Sequence, residues 1–494
     1  MRRIAVLAGV ALGVLSLGAA KPSTYDLVIT GGRVMDPETH ADGVANVGVR
    51  GGKIVAIGKG PMVGKRTIDA KGLVVAPGFI DLHSHAQYPF GYDQQARDGV
   101  TTSLELEAGA YPIRPFYAAR EGKTRINFGA SVSIQAIRVK VATGLEDDTG
   151  AAKGLADEAA LARKAEWAET RFTPEQVARE RALFREDVAA GGLGLGLLSE
   201  YLPALGRDEV YLLMQDAAAL RAPVFVHVRA ATHADVDNLM TPMQEMVADA
   251  ASTGASVHVC HIGSKSLTAV VPVLDMFDRA RKRGVDISTE VYPYDAGSTV
   301  IGSALFNEGW REHQGADFKD IEWPPTGERM TAESFARFRK EHPTSFVILH
   351  TIPPKTVEIA VAHPGVMIAS DAVPYDNGSG HPRGTGTFAR VLGVYVREKH
   401  ALGLMDALGK MTLLPARRLQ QISPAMKHKG RVQVGADADL TLFDPDKVVD
   451  RATYAHPTVP SAGIPYVIVG GTPVVDGGEI VKTAFPGRGV KSGR

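Results

Sequence analysis

The chain has 494 residues, 45% of them hydrophobic and 22% charged, and its 55 basic and 55 acidic side chains leave a formal net charge of zero. Such a chain can bury a large core in two structural units, which excludes a disordered or fibrous class. The balanced charge offers no electrostatic footprint for nucleic acid or for a cationic partner.

At the start, Arg2 and Arg3 precede an apolar run, Ile4–Leu17, and then Gly18-Ala19-Ala20. The run is short for a membrane span, and its basic and small-residue flanks are those of a signal peptide. Residues 1–20 are therefore expected to be removed. The mature chain is then exported, periplasmic in a Gram-negative source, with no membrane attachment; a retained N-terminal anchor is the alternative.

Residues 24–75 hold short strands and glycine turns, at Tyr25–Thr30, Val47–Val49 and Ile54–Ile57, and residues 430–494 answer them with Ala438–Phe443, Tyr466–Val469 and Val474-Val475. Termini often lie close together, so these ends predict one small β-sandwich. Residues 76–429 alternate apolar strand-like runs with helical patterns. The strands are Val224–His227, Val257–His261, Val285–Val291, Phe346–His350 and Val366–Asp371, and helices include Glu209–Leu220 and Thr241–Ser252. This alternation predicts an α/β fold, a (β/α)8 TIM-like barrel with its functional groups where strands end. Residues 145–190 read as charged, Ala-rich helix with a turn at Asp147-Asp148, and Arg279–Arg283 as a solvated helix face. Gly191–Gly196 lacks the Lys-Ser or Lys-Thr of a phosphate loop and reads as a Gly-rich strand.

Ala76–His85, APGFIDLHSH, closes an apolar strand on two histidines one residue apart. Alternation along a strand puts His83 and His85 on one face, which makes half of a metal site. His227, His261 and Asp371 follow at barrel-like intervals, each ending an apolar run. The ordered set points to a metal centre at a barrel mouth. Cys260, the only cysteine, precludes an intramolecular disulfide. As neighbour to His261 on a strand, it is expected to face away from the metal as a buried structural thiol. His233 and His258 fit no ligand position and read as surface or packing residues.

Several segments resemble the amidohydrolase superfamily, and within it the D-aminoacylases (N-acyl-D-amino-acid deacylases), over nearly the whole mature chain. They are Gly99–Thr102 (GVTT), Glu290–Thr299 (EVYPYDAGST), Ile368–Asp371 (IASD), Gly386–Val396 (GTFARVLGVYV), Lys410–Leu419 (KMTLLPARRL) and Gly435–Pro445 (GADADLTLFDP). The resemblance implies a metal-carrying (β/α)8 barrel with a β-sandwich. Its implied activity is deacylation of N-acyl-D-amino acids by a metal-bound hydroxide, with one or two divalent ions such as Zn2+. It implies His83, His85, His227 and His261 as ligands and Asp371 as ligand and catalytic acid–base. It further implies Tyr292 and Ser298 as substrate contacts, and Arg383 as the residue that binds the substrate carboxylate.

The chain departs from the family pattern twice. The family's cysteine ligand after GVTT is absent from Ser103–Gly109, SLELEAG. Glu107 is expected to replace it, with Glu105 as second choice, since a carboxylate can also bind or bridge zinc. The family's His-His-Lys is here His261-Ile262-Gly263, which leaves Lys265 as the candidate for the carboxylate. Lys140 ends no convincing strand, so a carbamylated bridging lysine is not expected. The expected partner is a small N-acyl amino acid or short peptide, with oligomeric state open. The alternatives are a dipeptidase for peptides ending in a D-residue and a hydantoinase-like cyclic amidase. A non-catalytic scaffold would have lost these ligands.

Overall fold

A computed structural model describes residues 24–145, 157–230 and 236–493 of the chain. The segment read as a signal peptide, Asp147-Asp148 and His233 lie outside them. No helix among the described residues is long and apolar enough to cross a membrane.

Both chain ends enter one nine-stranded sheet. Tyr25–Asp36 organises it, pairing antiparallel with Ala41–Arg50 and parallel with Gly64–Asp69 and Val74–Pro77. From the other end of the chain, Leu440–Phe443 pairs antiparallel with Val74–Pro77, and Tyr466–Val469 adds outside it. Leu27, Ile29 and Val47 share a core with Ala438, Leu440 and Ile468. Sequence-distant ends are thus held by main-chain ladders and by burial of apolar surface from both. The pairing of Val74–Pro77 carries this unit to Pro77, slightly past residue 75. Gly78 follows, where a Cβ would fall 2.2 Å from the side chain of Thr101.

The barrel is eight parallel strands in sequence order: Phe79–Asp81, Val100–Ala110, Asn127–Ser133, Leu195–Leu198, Val224–His227, Val257–Val259, Ile287–Val291 and Val366–Ile368. Helices cover it outside and all eight strands are buried, but several carry polar residues, among them Ser103, Glu105 and Glu107 of the second and Ser288 and Glu290 of the seventh. Leu195–Leu198 starts within the Gly-rich segment read as a strand. The last and first strands do not form a ladder. They meet at a parallel bridge between Ser84 and Ala372, where Asp371 N–H donates to the His83 carbonyl at 2.8 Å and His85 N–H to the Ala372 carbonyl at 2.7 Å.

Phe346–His350 corrects one expectation. Phe346–Leu349 is a strand, but it runs antiparallel to Gly297–Val300 and Ile321–Trp323 in a four-stranded sheet inserted between the seventh and eighth barrel strands. The insert has its own core of Phe306, Trp310, Trp323 and Phe335. A short apolar run covered on both faces looks the same in sequence whichever way its neighbours run.

Asp439 joins the two units. Lys429 Nζ donates to it at 2.5 Å, Gly470 N–H at 2.7 Å, and Nδ2 of Asn127, on the third barrel strand, at 3.0 Å. Lys429 is buried and keeps only Asp437, at 3.0 Å, as a second acid. Breaking a buried pair from one side costs about 3–5 kcal/mol. Asp439→Ala is expected to lower the unfolding free energy in urea by about that amount. Asp42→Ala, which removes only the exposed pair with Arg33, should lower it by less than about 1 kcal/mol.

Candidate metal centre

Six side chains converge at the C-terminal mouth of the barrel. His83 and His85 follow the first strand, Glu107 lies near the end of the second, His227 ends the fifth, and His261 and Asp371 follow the sixth and eighth. His83 and His85 turn the same way, with Nε2 atoms 3.2 Å apart. Asp371 Oδ1 lies 3.3 Å from His83 Nε2 and 3.4 Å from His85 Nε2. Glu107 divides its oxygens. Oε2 is 3.2 Å from His83 Nε2 and 3.5 Å from His85 Nε2, whereas Oε1 is 2.7 Å from His261 Nε2 and 3.2 Å from His227 Nδ1. His227 Nδ1 and His261 Nε2 are 3.0 Å apart.

Nitrogen and oxygen ligands at ~2.1 Å around a tetrahedral ion stand about 3.4 Å from one another. The five distances among His83, His85, Glu107 Oε2 and Asp371 run from 3.2 to 3.5 Å. The three among His227, His261 and Glu107 Oε1 run from 2.7 to 3.2 Å. The first set matches the spacing around one divalent ion; the second is tighter, at hydrogen-bond distance, and offers donors for a second ion, with one Glu107 oxygen in each set. The outer ring nitrogens agree. His83 Nδ1 meets Glu290 Oε1 at 3.0 Å, His85 Nδ1 meets Glu105 Oε2 at 2.9 Å, and His227 Nε2 meets Glu200 Oε2 at 2.5 Å. His261 Nδ1 meets Ser264 Oγ at 3.0 Å. A carboxylate only accepts, so the proton sits on the outer nitrogen and the lone pair faces inward, the pattern of metal-binding histidines. Glu105 is thus placed behind His85, while Glu107 stands at the centre.

Two acids here were given no role by sequence reasoning. Glu290 accepts from His83 Nδ1, from the His261 N–H at 2.7 Å, and from His258 Nε2. One carboxylate thereby braces histidines on two strands. Burial alone would raise its pKa, yet His258 and His83 hold it at about 2. His258 is buried, as a packing residue would be, but it also serves Glu290 and is fixed by Ser288 Oγ at 2.7 Å. The second acid, Glu200, follows the fourth strand. It accepts from Lys265 Nζ at 2.5 Å and from Gln314 Nε2 at 2.8 Å as well as from His227. Against the effect of burial, Lys265 and His227 keep its carboxyl well below the usual range. Lys265, the candidate for the substrate carboxylate, lines the cleft paired with this acid.

Cys260 is a buried free thiol, but its expected direction is corrected. Its sulfur lies within 4.8 Å of ligand atoms of His83 and Glu290, inside the barrel. Alternation fails because His261 takes a left-handed φ of +33°. Asp371 also has a positive φ, +51°. Such strain in non-glycine residues gathers where a site over-determines its geometry.

Tyr292, Ser298 and Arg383 line the same cleft, as do Leu305, Phe346 and Leu349. Arg383 is 1% exposed, pairs its Nη2 with Asp371 Oδ1 at 3.0 Å as an ion pair, and sits 4.7 Å from the Tyr292 ring centre. Arg383 Nε and Ser298 Oγ are buried without a hydrogen-bond partner. Buried polar atoms are normally satisfied, so two orphans in one cleft point to an acceptor that enters it. Burial would raise the Asp371 pKa, but Arg383 and His83 hold it well below the carboxylate range.

Comparison with known proteins agrees with this geometry. A model of the amidohydrolase family matches residues 66–475. The chain is 33% identical over 487 residues to the N-acyl-D-glutamate deacylase of Alcaligenes xylosoxydans xylosoxydans, across 91% of this chain and 93% of that protein. It is 30% identical over 486 residues to a D-aminoacylase of the same organism, across 91% and 94%. The crystal structure of N-acyl-D-glutamate deacylase from Bordetella bronchiseptica, complexed with zinc and a phosphonate mimic of the tetrahedral intermediate, aligns with a TM-score of 0.77 at 27% identity. That alignment covers 95% of this chain and all of the other, 100%. A D-aminoacylase structure concerned with the role of its binuclear metal centre has the same TM-score, 0.77, at 25% identity, over 94% of this chain and 100% of that one. The chain belongs to the amidohydrolase family.

Proposed function

We propose that the chain is a metal-dependent amide hydrolase that removes the acyl group from N-acyl-D-amino acids. The observation that carries this reading is the split Glu107 carboxylate, one oxygen in the His83, His85 and Asp371 donor set at metal-ligand spacing and the other against His227 and His261, beside the orphaned donors of Arg383 and Ser298. The similarity to deacylases across 91% of the chain supplies the substrate class. Residues 1–20, read as an export signal, belong to the same proposal.

His83, His85, Glu107 and Asp371 would hold one ion, and Glu107, His227 and His261 the other; zinc suits such nitrogen and oxygen donors. A divalent ion supplies Lewis acidity, which makes water a competent nucleophile near neutral pH and polarises the amide carbonyl. Asp371, kept ionised by its neighbours, takes a proton from the attacking water and returns it to the departing nitrogen. One C–O bond forms and the C–N bond breaks, giving a carboxylic acid and a free amino acid from one water. The Tyr292 hydroxyl stands beside the cleft as a donor for the developing oxyanion. Arg383 presents a planar fork to the α-carboxylate, with Ser298 next to it.

Glu107→Ala is expected to lose bound zinc and activity together, as read by elemental analysis and hydrolysis of N-acetyl-D-amino acids. Glu105→Ala removes the brace on His85, with the weaker contact to the Ala108 N–H, and should weaken zinc affinity by about 10–100-fold. Full metal content in Glu107→Ala would refute the bridging role, and full activity in metal-free protein would refute the whole proposal.

Asp371→Asn preserves shape but not basicity. At equal metal content its kcat should fall at least about a hundredfold.

Arg383→Met should sharply lower kcat/KM for N-acyl amino acids with a free carboxylate. It should change little for the matching carboxamides, which the native enzyme should already handle poorly. Equal losses on both would remove Arg383 from the binding site.

A further inference from the structure

The buried Glu200–Lys265 pair bears on which side chain the substrate carries, an inference that rests on the deacylase reading above. The two relatives at 33% and 30% identity are named for different substrates, so likeness alone does not decide it. Among the described residues, the cations lining the cleft are Arg383 and Lys265. Arg383 faces Asp371 and Ser298, beside the reacting centre. Lys265 could meet a second carboxylate only if its charge were free.

It is not free. Lys265 Nζ donates to Glu200 Oε2 at 2.5 Å, and the two side chains are 8% and 1% exposed. Glu200 cannot swing aside, because Gln314 holds its other oxygen at 2.8 Å and His227 shares Oε2 at 2.5 Å. Drawing Lys265 onto a substrate would leave the buried Glu200 carboxylate with Gln314 and His227 but without its paired ammonium, which is unfavourable. The cleft lining also includes Leu305, Phe346, Leu349, Ile352 and Val373, with uncharged polar groups such as Thr299, Gln314 and Thr351 among them. A second anionic group would lose its water against these side chains and find no unpaired cation in return.

We infer that the cleft selects N-acyl-D-amino acids with an uncharged side chain, and that Glu200 is the specificity-determining residue, excluding dianionic substrates by neutralising Lys265. The same charge count disfavours N-acyl-D-glutamate and N-acyl-D-aspartate alike.

The test compares kcat/KM for N-acetyl-D-leucine and N-acetyl-D-glutamate on one zinc-loaded preparation, so that metal content cancels in the ratio. Leucine is expected to be favoured by at least about a hundredfold, because a buried charge without a partner is rejected far more strongly than a size mismatch. Glu200→Gln keeps the shape and releases the ammonium. It should move the ratio toward glutamate by at least about tenfold whatever its effect on rate, and adding Lys265→Met should cancel that gain. An unmoved ratio in an active Glu200→Gln overturns the role of Glu200. Should that variant be inactive, competitive inhibition of the native enzyme by D-leucine and D-glutamate decides. Weaker inhibition by D-glutamate supports the inference, and equal or stronger inhibition overturns it. A native preference for N-acetyl-D-glutamate sinks the specificity while leaving the deacylase reading intact. No hydrolysis of any N-acetyl-D-amino acid, neutral or acidic, sinks both.

Discussion

Asp81 is the constraint on which the barrel mouth depends. The last and first strands of the barrel lack a continuous ladder, so the seam needs another tie. The Asp81 carboxylate supplies it, accepting the Ser370 N–H at 3.0 Å, the Ser370 hydroxyl, the His83 N–H at 3.2 Å and the Gln95 amide at 2.6 Å. Hydrogen bonds made in a buried setting are strong and directional. This one group fixes the backbone beside His83 on one strand and beside Asp371 on the other. Residues almost three hundred apart in sequence thereby reach ligand spacing at a place where ordinary β pairing stops.

Above that seam the site is built as alternating shells of charge. Glu107 and Asp371 sit among imidazoles, and a second ring of acids, Glu105, Glu200 and Glu290, stands behind those imidazoles. So many buried carboxylates would oppose folding without compensating cations and donors. The histidines, Lys265, Arg383 and main-chain amides provide part of that compensation, and divalent cations would provide the rest. The same arrangement that makes the mouth costly to fold holds each ring nitrogen in its working tautomer. Glu290 extends this logic across clusters, since it braces a histidine of each set.

What could be read from the sequence follows from what is periodic. His83 and His85 are legible because strand alternation fixes their common face, and the union of the chain ends because short apolar strands at both termini need partners. His261 and Cys260 show the limit. A single left-handed residue reverses the expected sides, and no pattern of residue types announces a φ of +33°. Phe346–His350 fails for a related reason, since a covered strand carries no mark of its neighbours' direction. Glu200 and Glu290 were visible only as lone acids at strand ends, and their meaning lies in partners 27 to 207 residues away. Lys265 had the right type in the right region, but residue type does not reveal that its charge is already matched.

The cleft is lined by two parts of the chain. The donors at the centre come from barrel strand ends, whereas Ser298, Leu305, Gln314, Phe346 and Leu349 come from the inserted sheet and its connections. The insert has its own aromatic core, so its cleft-facing side chains can vary without disturbing the barrel seam. Glu200 is where the two parts meet: one oxygen serves His227 and Lys265, the other is held by Gln314 of the insert. A change in the insert that lost the Gln314 contact would act on Lys265 and on a histidine of the centre at once. A contact made by the insert is therefore coupled, through this carboxylate, to Lys265 and to a histidine of the centre.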